Sequence, residues 1–148
     1  MQSSSARIAL RLALLMPALV AAPAARPENF QGPVAASILR VLDGDTFEAE
    51  ALVWPGQTVR VNVRIRGIDA PEMKSRCAAE HRAALKARML LERLLGPRVS
   101  ISNIGSAKYY GRVLADVETP DGVPVVAVML ANGLARPYQG GPRRTWCG

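Results

Sequence analysis

Four carboxylates stand in two short clusters, Asp43-Gly44-Asp45 and Ile68-Asp69-Ala70-Pro71-Glu72. A hard cation such as Ca²⁺ takes carboxylate and carbonyl oxygens, so two such turns brought together could hold one. Between them, from Thr58 to Arg66, Val59, Val61, Val63 and Ile65 alternate with Arg60, Asn62, Arg64 and Arg66. Period two puts the aliphatics on one face of a strand and the three arginines on the other. Three cations on one face are costly to crowd unless anions or carboxylates lie near. A guanidinium fork binds phosphate in a bidentate way and stays charged. A metal, two such forks and a carboxylate that positions water are the parts a phosphodiester hydrolase needs. Each piece alone has a plainer reading. Asp and Gly favour turns, a strand's arginines can simply be solvated, and an acid such as Glu72 suits a helix N-terminus.

The elements that must position these groups follow from periodicity and punctuation. Val34 to Leu42 reads as a strand, Asp43 to Thr46 as a turn and Phe47 to Val53 as the next strand. Trp54-Pro55-Gly56-Gln57 is a hairpin turn leading into the arginine-bearing strand. Ser75 is the expected N-cap of a helix from Arg76 to Leu95, with Ala78, Leu85, Met89 and Leu91 on its apolar face and Gly96-Pro97 ending it. Arg98 to Asn103 and Arg112 to Glu118 read as the fourth and fifth strands, and Thr119 to Gly122 as a turn. Val125 to Asn132 reads as a short apolar helix with Gly133 as its C′ residue. Five short strands with a helix between the third and fourth and another after the fifth suit an α+β fold built on a closed OB-type barrel.

Four blocks, taken in order, carry a more specific message. They are Val41-Leu42-Asp43-Gly44-Asp45-Thr46, Arg64-Ile65-Arg66-Gly67-Ile68-Asp69-Ala70-Pro71-Glu72, Tyr110-Gly111-Arg112-Val113-Leu114-Ala115 and Asn132-Gly133-Leu134-Ala135-Arg136. In order and spacing this set resembles the staphylococcal nuclease family, over about Val34 to Tyr138. The resemblance implies a Ca²⁺-dependent nuclease that cuts DNA and RNA at the P–O5′ bond and leaves 3′-phosphate ends. It implies that Asp45, Asp69 and the Ala70 backbone carbonyl are direct Ca²⁺ ligands and that Asp43 acts through water. It matches Glu72 to a general base or water-orienting carboxylate, and Arg64 and Arg112 to paired phosphate-binding arginines. Tyr110 and Tyr138 match positions that line the nucleotide pocket, where a Tyr stacks on a base or bonds a phosphate; a partly buried aromatic is the plainer reading of each.

Three features depart from the family pattern. Its Lys-Tyr-Gly-Arg becomes Lys108-Tyr109-Tyr110-Gly111-Arg112, which displaces Lys108 by one from its substrate-binding position. The hairpin around Trp54 is longer. The family's long C-terminal helix is missing, replaced by a short tail ending Arg143-Arg144-Thr145-Trp146-Cys147. The competing reading is a nucleic-acid or protein binding module on the same barrel. The intact set Asp45, Arg64, Asp69, Glu72 and Arg112 favours the enzyme.

Composition sets the frame. The 148 residues suit one domain and carry a net charge of +7, which favours polyanionic partners. Arg7 and Arg11, the apolar run from Leu12 to Val20, and Ala22-Pro23-Ala24 follow the pattern of a secretory signal peptide. The expected division is a leader over 1–24 and a nuclease-like domain over 25–148, secreted or periplasmic, monomeric, with no stable membrane insertion after processing. Cleavage after Ala24 removes two basic residues and leaves 17 against 12 acidic, a charge of +5. In an oxidising compartment the even pair Cys77 and Cys147 is expected to be bridged. Those two cysteines and the lone His81 match no common zinc spacing, and a single His argues against a Ser-His-Asp or Cys-His enzyme.

Overall fold

The computed structural model describes residues 29–109 and 111–147. The expected leader over 1–24 and Tyr110 lie outside the described residues. Within them, strands β1 (Val34–Val41), β2 (Thr46–Trp54), β3 (Gln57–Ile65), β5 (Arg98–Ser106) and β6 (Arg112–Glu118) close a barrel in the order β1-β2-β3-β6-β5. Helix α1 (Ala78–Leu95) leads into β5, and helix α2 (Val125–Ala131) follows β6. A two-residue strand, β4 (Ile68–Asp69), pairs with β7 (Arg136–Pro137) beside the barrel. This is the α+β, OB-type architecture expected from the strand and helix order.

Alternation builds the core. Phe47, Ala49 and Ala51 of β2 and Val63 and Ile65 of β3 point inward, as period two requires. On β1 the inward set runs Val34, Ala36 and then Val41, because a register irregularity between Ile38 and Arg40 switches the parity. The switch keeps Arg40 outside, where it pairs with Glu48 at 2.6 Å. The β2–β3 hairpin reaches past the core, leaving Leu52, Val53, Trp54 and Val59 exposed. Gly56 at its turn has φ 75, a left-handed conformation that suits glycine.

Helix α1 corrects two expectations. It starts at Ala78 with Cys77 as N-cap, and Ser75 instead accepts a bond from the Cys77 N–H at 3.2 Å in the lead-in. Its buried stripe is Ala84, Ala87, Leu91 and Leu95, whereas Leu85 and Met89 are exposed and Ala78 also faces solvent. Ala84, Ala87, Leu91 and Leu95 follow i+3 and i+4 steps, whereas Leu91 stands two residues from Met89, on the other side of the helix, and cannot share its face. The small alanines win because they let the helix axis approach the barrel closely. Helix α2 ends one residue early, at Ala131, and Gly133 takes φ 64 beyond it. Strand β5 continues to Ser106, three residues past the expected end. The segment after β7 forms no helix among the described residues.

Candidate active site

The β1–β2 turn is closed by the Leu42 and Asp43 N–H groups, which donate to the Thr46 carbonyl at 2.9 and 3.2 Å. Asp43 Oδ1 accepts from the Asp45 N–H at 3.0 Å, so the first carboxylate shapes the turn that presents the second. Gly44 is required by space: a Cβ there would meet Ala87 of α1 at 2.6 Å and the Ala70 side chain at 2.8 Å. The Asp-Gly-Asp spacing thus reflects a turn pressed against both the helix and the second acidic segment.

Asp45 is only 2% exposed and is bonded at both oxygens. Its Oδ2 accepts the Ala70 N–H at 2.8 Å. Its Oδ1 accepts the Thr46 hydroxyl at 2.9 Å and a donor from Arg64. Burial, reinforced by the Asp43 charge, pushes the Asp45 carboxyl up from 3.8 to about 6, against the opposing pull of Arg64 and the Ala70 N–H.

Arg64 spans both acidic segments. Besides Asp45 it reaches Asp69 Oδ1 and the Ile68 carbonyl, each at 3.4 Å. Asp69 is also buried, and β4 holds it through pairing with Arg136. The turn into β4 has Gly67 at φ 84, and the Gly67 carbonyl accepts the Tyr138 N–H at 2.9 Å. Glu72 is exposed, and its backbone N–H donates to Glu80 Oε1 at 3.1 Å. Glu80 Oε2 accepts the Ser75 hydroxyl at 2.7 Å, so one side chain of α1 braces the loop that carries Glu72.

The other arginines of the strand have separate counter-charges. Arg60 lies 3.9 Å from Glu50, and Arg66 lies 3.4 Å from Asp116 while donating to the Asn103 and Leu114 carbonyls. The crowding cost expected from the sequence is met by three different carboxylate environments, and of the three only Arg64 enters the acidic cluster.

Arg112 sits on β6 opposite Asn62 in the parallel β3–β6 pairing, with Leu114 opposite Arg64. Arg112 and Arg64 therefore share the outer face, two residues apart along adjacent strands. The Arg112 guanidinium lies 5.5 Å from the Tyr109 ring centre, and Lys108 Nζ lies 5.7 Å from it. Among the described residues Arg112 makes no ion pair with Asp45, Asp69 or Glu72. Tyr138 stands between two clefts. One, of about 310 Å³, is lined by Asp69, Arg136 and Gln139; the other, of about 220 Å³, by Arg64, Arg66 and Leu114. The Tyr138 hydroxyl donates to the Gly141 carbonyl at 2.7 Å.

The tail adds a residue that the sequence did not single out for the site. Arg143 Nε forms an ion pair with Asp69 Oδ1 at 2.5 Å, while Nη2 donates to the Ala70 carbonyl at 3.0 Å and Nη1 to Glu72. Nothing in its local sequence, between Pro142 and Arg144, distinguishes it from a solvated tail charge. The tail is fastened by a Cys77–Cys147 disulfide with a Cα–Cα distance of 6.1 Å. It is fastened again by Arg136, which stacks on Trp146 at 3.8 Å and donates to the Thr145 carbonyl at 2.9 Å. Glu80 lies with the two cysteines at metal-ligand spacing, but the bridged sulfurs are no longer thiolates.

Barrel and cluster together define an OB-type protein with a buried acid–arginine centre at the β1–β2 and β3–β4 turns. Residues 62–145 match the family described as staphylococcal nuclease homologue, and the chain belongs to that family. It is 31% identical over 102 residues to a protein of Escherichia coli named "Uncharacterized endonuclease", covering 69% of this chain and 60% of that relative. A protein of the same name from Escherichia coli O157:H7 matches to the same extent. The chain thus spans 60% of the length of the curated relatives it matches.

Proposed function

We propose that the protein is a Ca²⁺-dependent nuclease that hydrolyses phosphodiester bonds of DNA and RNA. The observation that carries this reading is the convergence of Asp45, Asp69, the Ala70 carbonyl and Arg64 on one small volume, in a chain of this family. The donor set fits the ion. It is all hard oxygen, and the Arg143 guanidinium lying on Asp69 and the Ala70 carbonyl is itself a stand-in positive charge. Asp45, Asp69 and the Ala70 carbonyl are the residues to hold the ion, with Asp43 acting through water. When bound, the ion supplies Lewis-acid stabilisation of charge on the phosphate oxygens.

The protein's own groups do the rest. Arg64 and Arg112, on one outer face, clamp the nonbridging oxygens as charge builds there. Glu72, exposed and braced through its backbone by Glu80, orients or deprotonates the attacking water. Tyr138 lines the adjoining cleft where a nucleotide is placed, and Lys108, which approaches the same Tyr109 ring as Arg112, adds positive charge for the phosphates; Tyr110 keeps the substrate-binding role that the family pattern implies. Cleavage at P–O5′ leaves 3′-phosphate ends. Single-stranded or frayed substrate is preferred, because a single deep pocket is hard to reach from stacked duplex. The mature unit is 25–148, exported to the periplasm or beyond as a monomer after loss of 1–24.

The deciding experiment incubates the purified protein with single-stranded DNA and with RNA, in Ca²⁺ and again in chelator, followed by end-group analysis. Ca²⁺-dependent products with 3′-phosphates are expected. Activity that survives full chelation, or 5′-phosphate ends alone, overturns the mechanism. Binding without cleavage assigns the barrel to a binding module instead.

A further inference from the structure

Arg143 presents a chemical conflict. Its three nitrogens engage Asp69, the Ala70 carbonyl and Glu72, and two of these are the groups assigned above to a divalent cation. Asp69 Oδ1 already receives Arg64 as well. A guanidinium and a divalent ion on the same oxygens repel each other at the buried Asp69 carboxylate, and each carbonyl or carboxylate oxygen has few lone pairs to share. The guanidinium also does not arrive by chance. Four residues on, Cys147 is bridged to Cys77 at the start of α1, and Arg136 grips Trp146 and Thr145. A group tethered at both ends of a short segment acts at high effective concentration.

We propose that Arg143 is an internal counter-cation: it holds the acidic centre assembled when no metal is bound, and a divalent cation must displace it to bind. The Cys77–Cys147 tether sets how strongly it competes. The inference rests on the cation-dependent reading above and adds a determinant of cation affinity outside the four family blocks. Removing the guanidinium raises cation affinity while lowering the stability of the cation-free protein, a pair of opposite effects that a residue merely supporting the cation site does not produce.

The test is calorimetric titration of the full chain, bridge intact, with Ca²⁺. Wild type is compared with Arg143→Gln, Arg143→Lys and Arg144→Gln. Arg144 is the next residue of the same tail and makes no ion pair among the described residues. Arg143→Gln is expected to bind at least about tenfold more tightly, Arg143→Lys to fall between it and wild type, and Arg144→Gln to match wild type. A Cys77→Ser/Cys147→Ser double variant is expected to tighten binding as well. In chelator, Arg143→Gln melts below wild type, and saturating Ca²⁺ removes the difference. Equal or weaker Ca²⁺ binding by Arg143→Gln overturns the proposal, as does equal tightening by Arg144→Gln, which points to general charge. Unchanged affinity on loss of both cysteines overturns the role of the tether. If no variant binds Ca²⁺, the cation-dependent reading itself fails.

Discussion

The backbone N–H of Ala70 donates to Asp45 Oδ2 at 2.8 Å, joining the β1–β2 turn to the segment after β4 across 25 residues of chain. This bond, with Arg64 reaching Asp45 and Asp69, makes one site of two acidic turns. The Ala70 carbonyl accepts Arg143 Nη2 at 3.0 Å. A residue at this position contributes through its backbone, so its small buried side chain costs the site nothing.

Gly44→Ala tests the contact beneath that bond. The added Cβ meets Ala87 and Ala70 at distances that no relaxed packing allows. The turn has to lift away from α1, at a cost of about 1–3 kcal/mol typical of overpacking. Urea denaturation is expected to show that loss, and Ca²⁺ binding to weaken with it. A variant of unchanged stability and affinity shows that the turn can shift freely.

Arg64→Ala and Arg112→Ala are each expected to cut turnover by about a hundredfold, the usual loss for one aimed transition-state donor. Arg60→Ala, whose partner is the distant Glu50, is expected to leave turnover within a few-fold of wild type. Circular dichroism controls for folding, which matters most for Arg64 because its removal leaves Asp45 buried without its cation. Equal loss in all three folded variants replaces the specific roles with a general basic face.

Asp45 predicts opposite pH trends for stability and metal affinity. Its carboxyl is raised from 3.8 to about 6, chiefly by burial, so the folded protein binds that proton more tightly than the unfolded chain. Its contribution to cation-free stability is therefore fully present below 3.8 and is lost as pH rises through about 6. Ca²⁺ needs the ionised form, so affinity falls as pH drops below about 6. Melting curves and titrations of wild type and Asp45→Asn across this window check both signs. Parallel pH profiles for the two proteins in chelator assign the effect to other groups.

The disulfide predicts a stability change that spares the barrel. It closes a separation of 70 residues, worth ~4 kcal/mol in the chain-entropy picture. Mass spectrometry of the folded protein, alkylated without reduction, is expected to find neither cysteine alkylated. Reduction is expected to lower the melting temperature while the Asp45–Arg64 contacts persist, because neither cysteine touches those side chains. Two alkylated cysteines in folded, active protein rule the bridge out.

Much of this molecule is legible in order along the chain. The alternation from Thr58 to Arg66 is local and strong, so β3 and its inward Val63 and Ile65 follow from it directly. Gly56, Gly96 and Gly133 mark turns and helix ends where left-handed φ is needed. Helix α1 is less plain in the sequence. Its Leu85 and Met89 make as good an apolar pair on paper as Ala84 and Ala87, but only the alanines share a face with Leu91 and Leu95, and their small side chains suit a close approach to the barrel. The pairing of β4 with β7 left no sequence trace, since two residues are too few to set a period.

The sequence by itself determined the succession of strands and helices, the two acidic turns and the family, because these rest on periodicity, turn chemistry and motifs that neighbouring residues encode. Tertiary structure alone decided which charges meet. Arg60, Arg64 and Arg66 are equivalent by alternation, yet closure of the barrel gives them Glu50, Asp45 with Asp69, and Asp116 in turn. Arg143 is one more basic residue in an aperiodic tail until Cys147 is drawn to Cys77 and its guanidinium is laid on Asp69, Ala70 and Glu72. The reason is physical: side-chain direction within an element follows from local backbone geometry, whereas an ion pair between residues some 70 positions apart exists only once the intervening chain has folded and closed the distance.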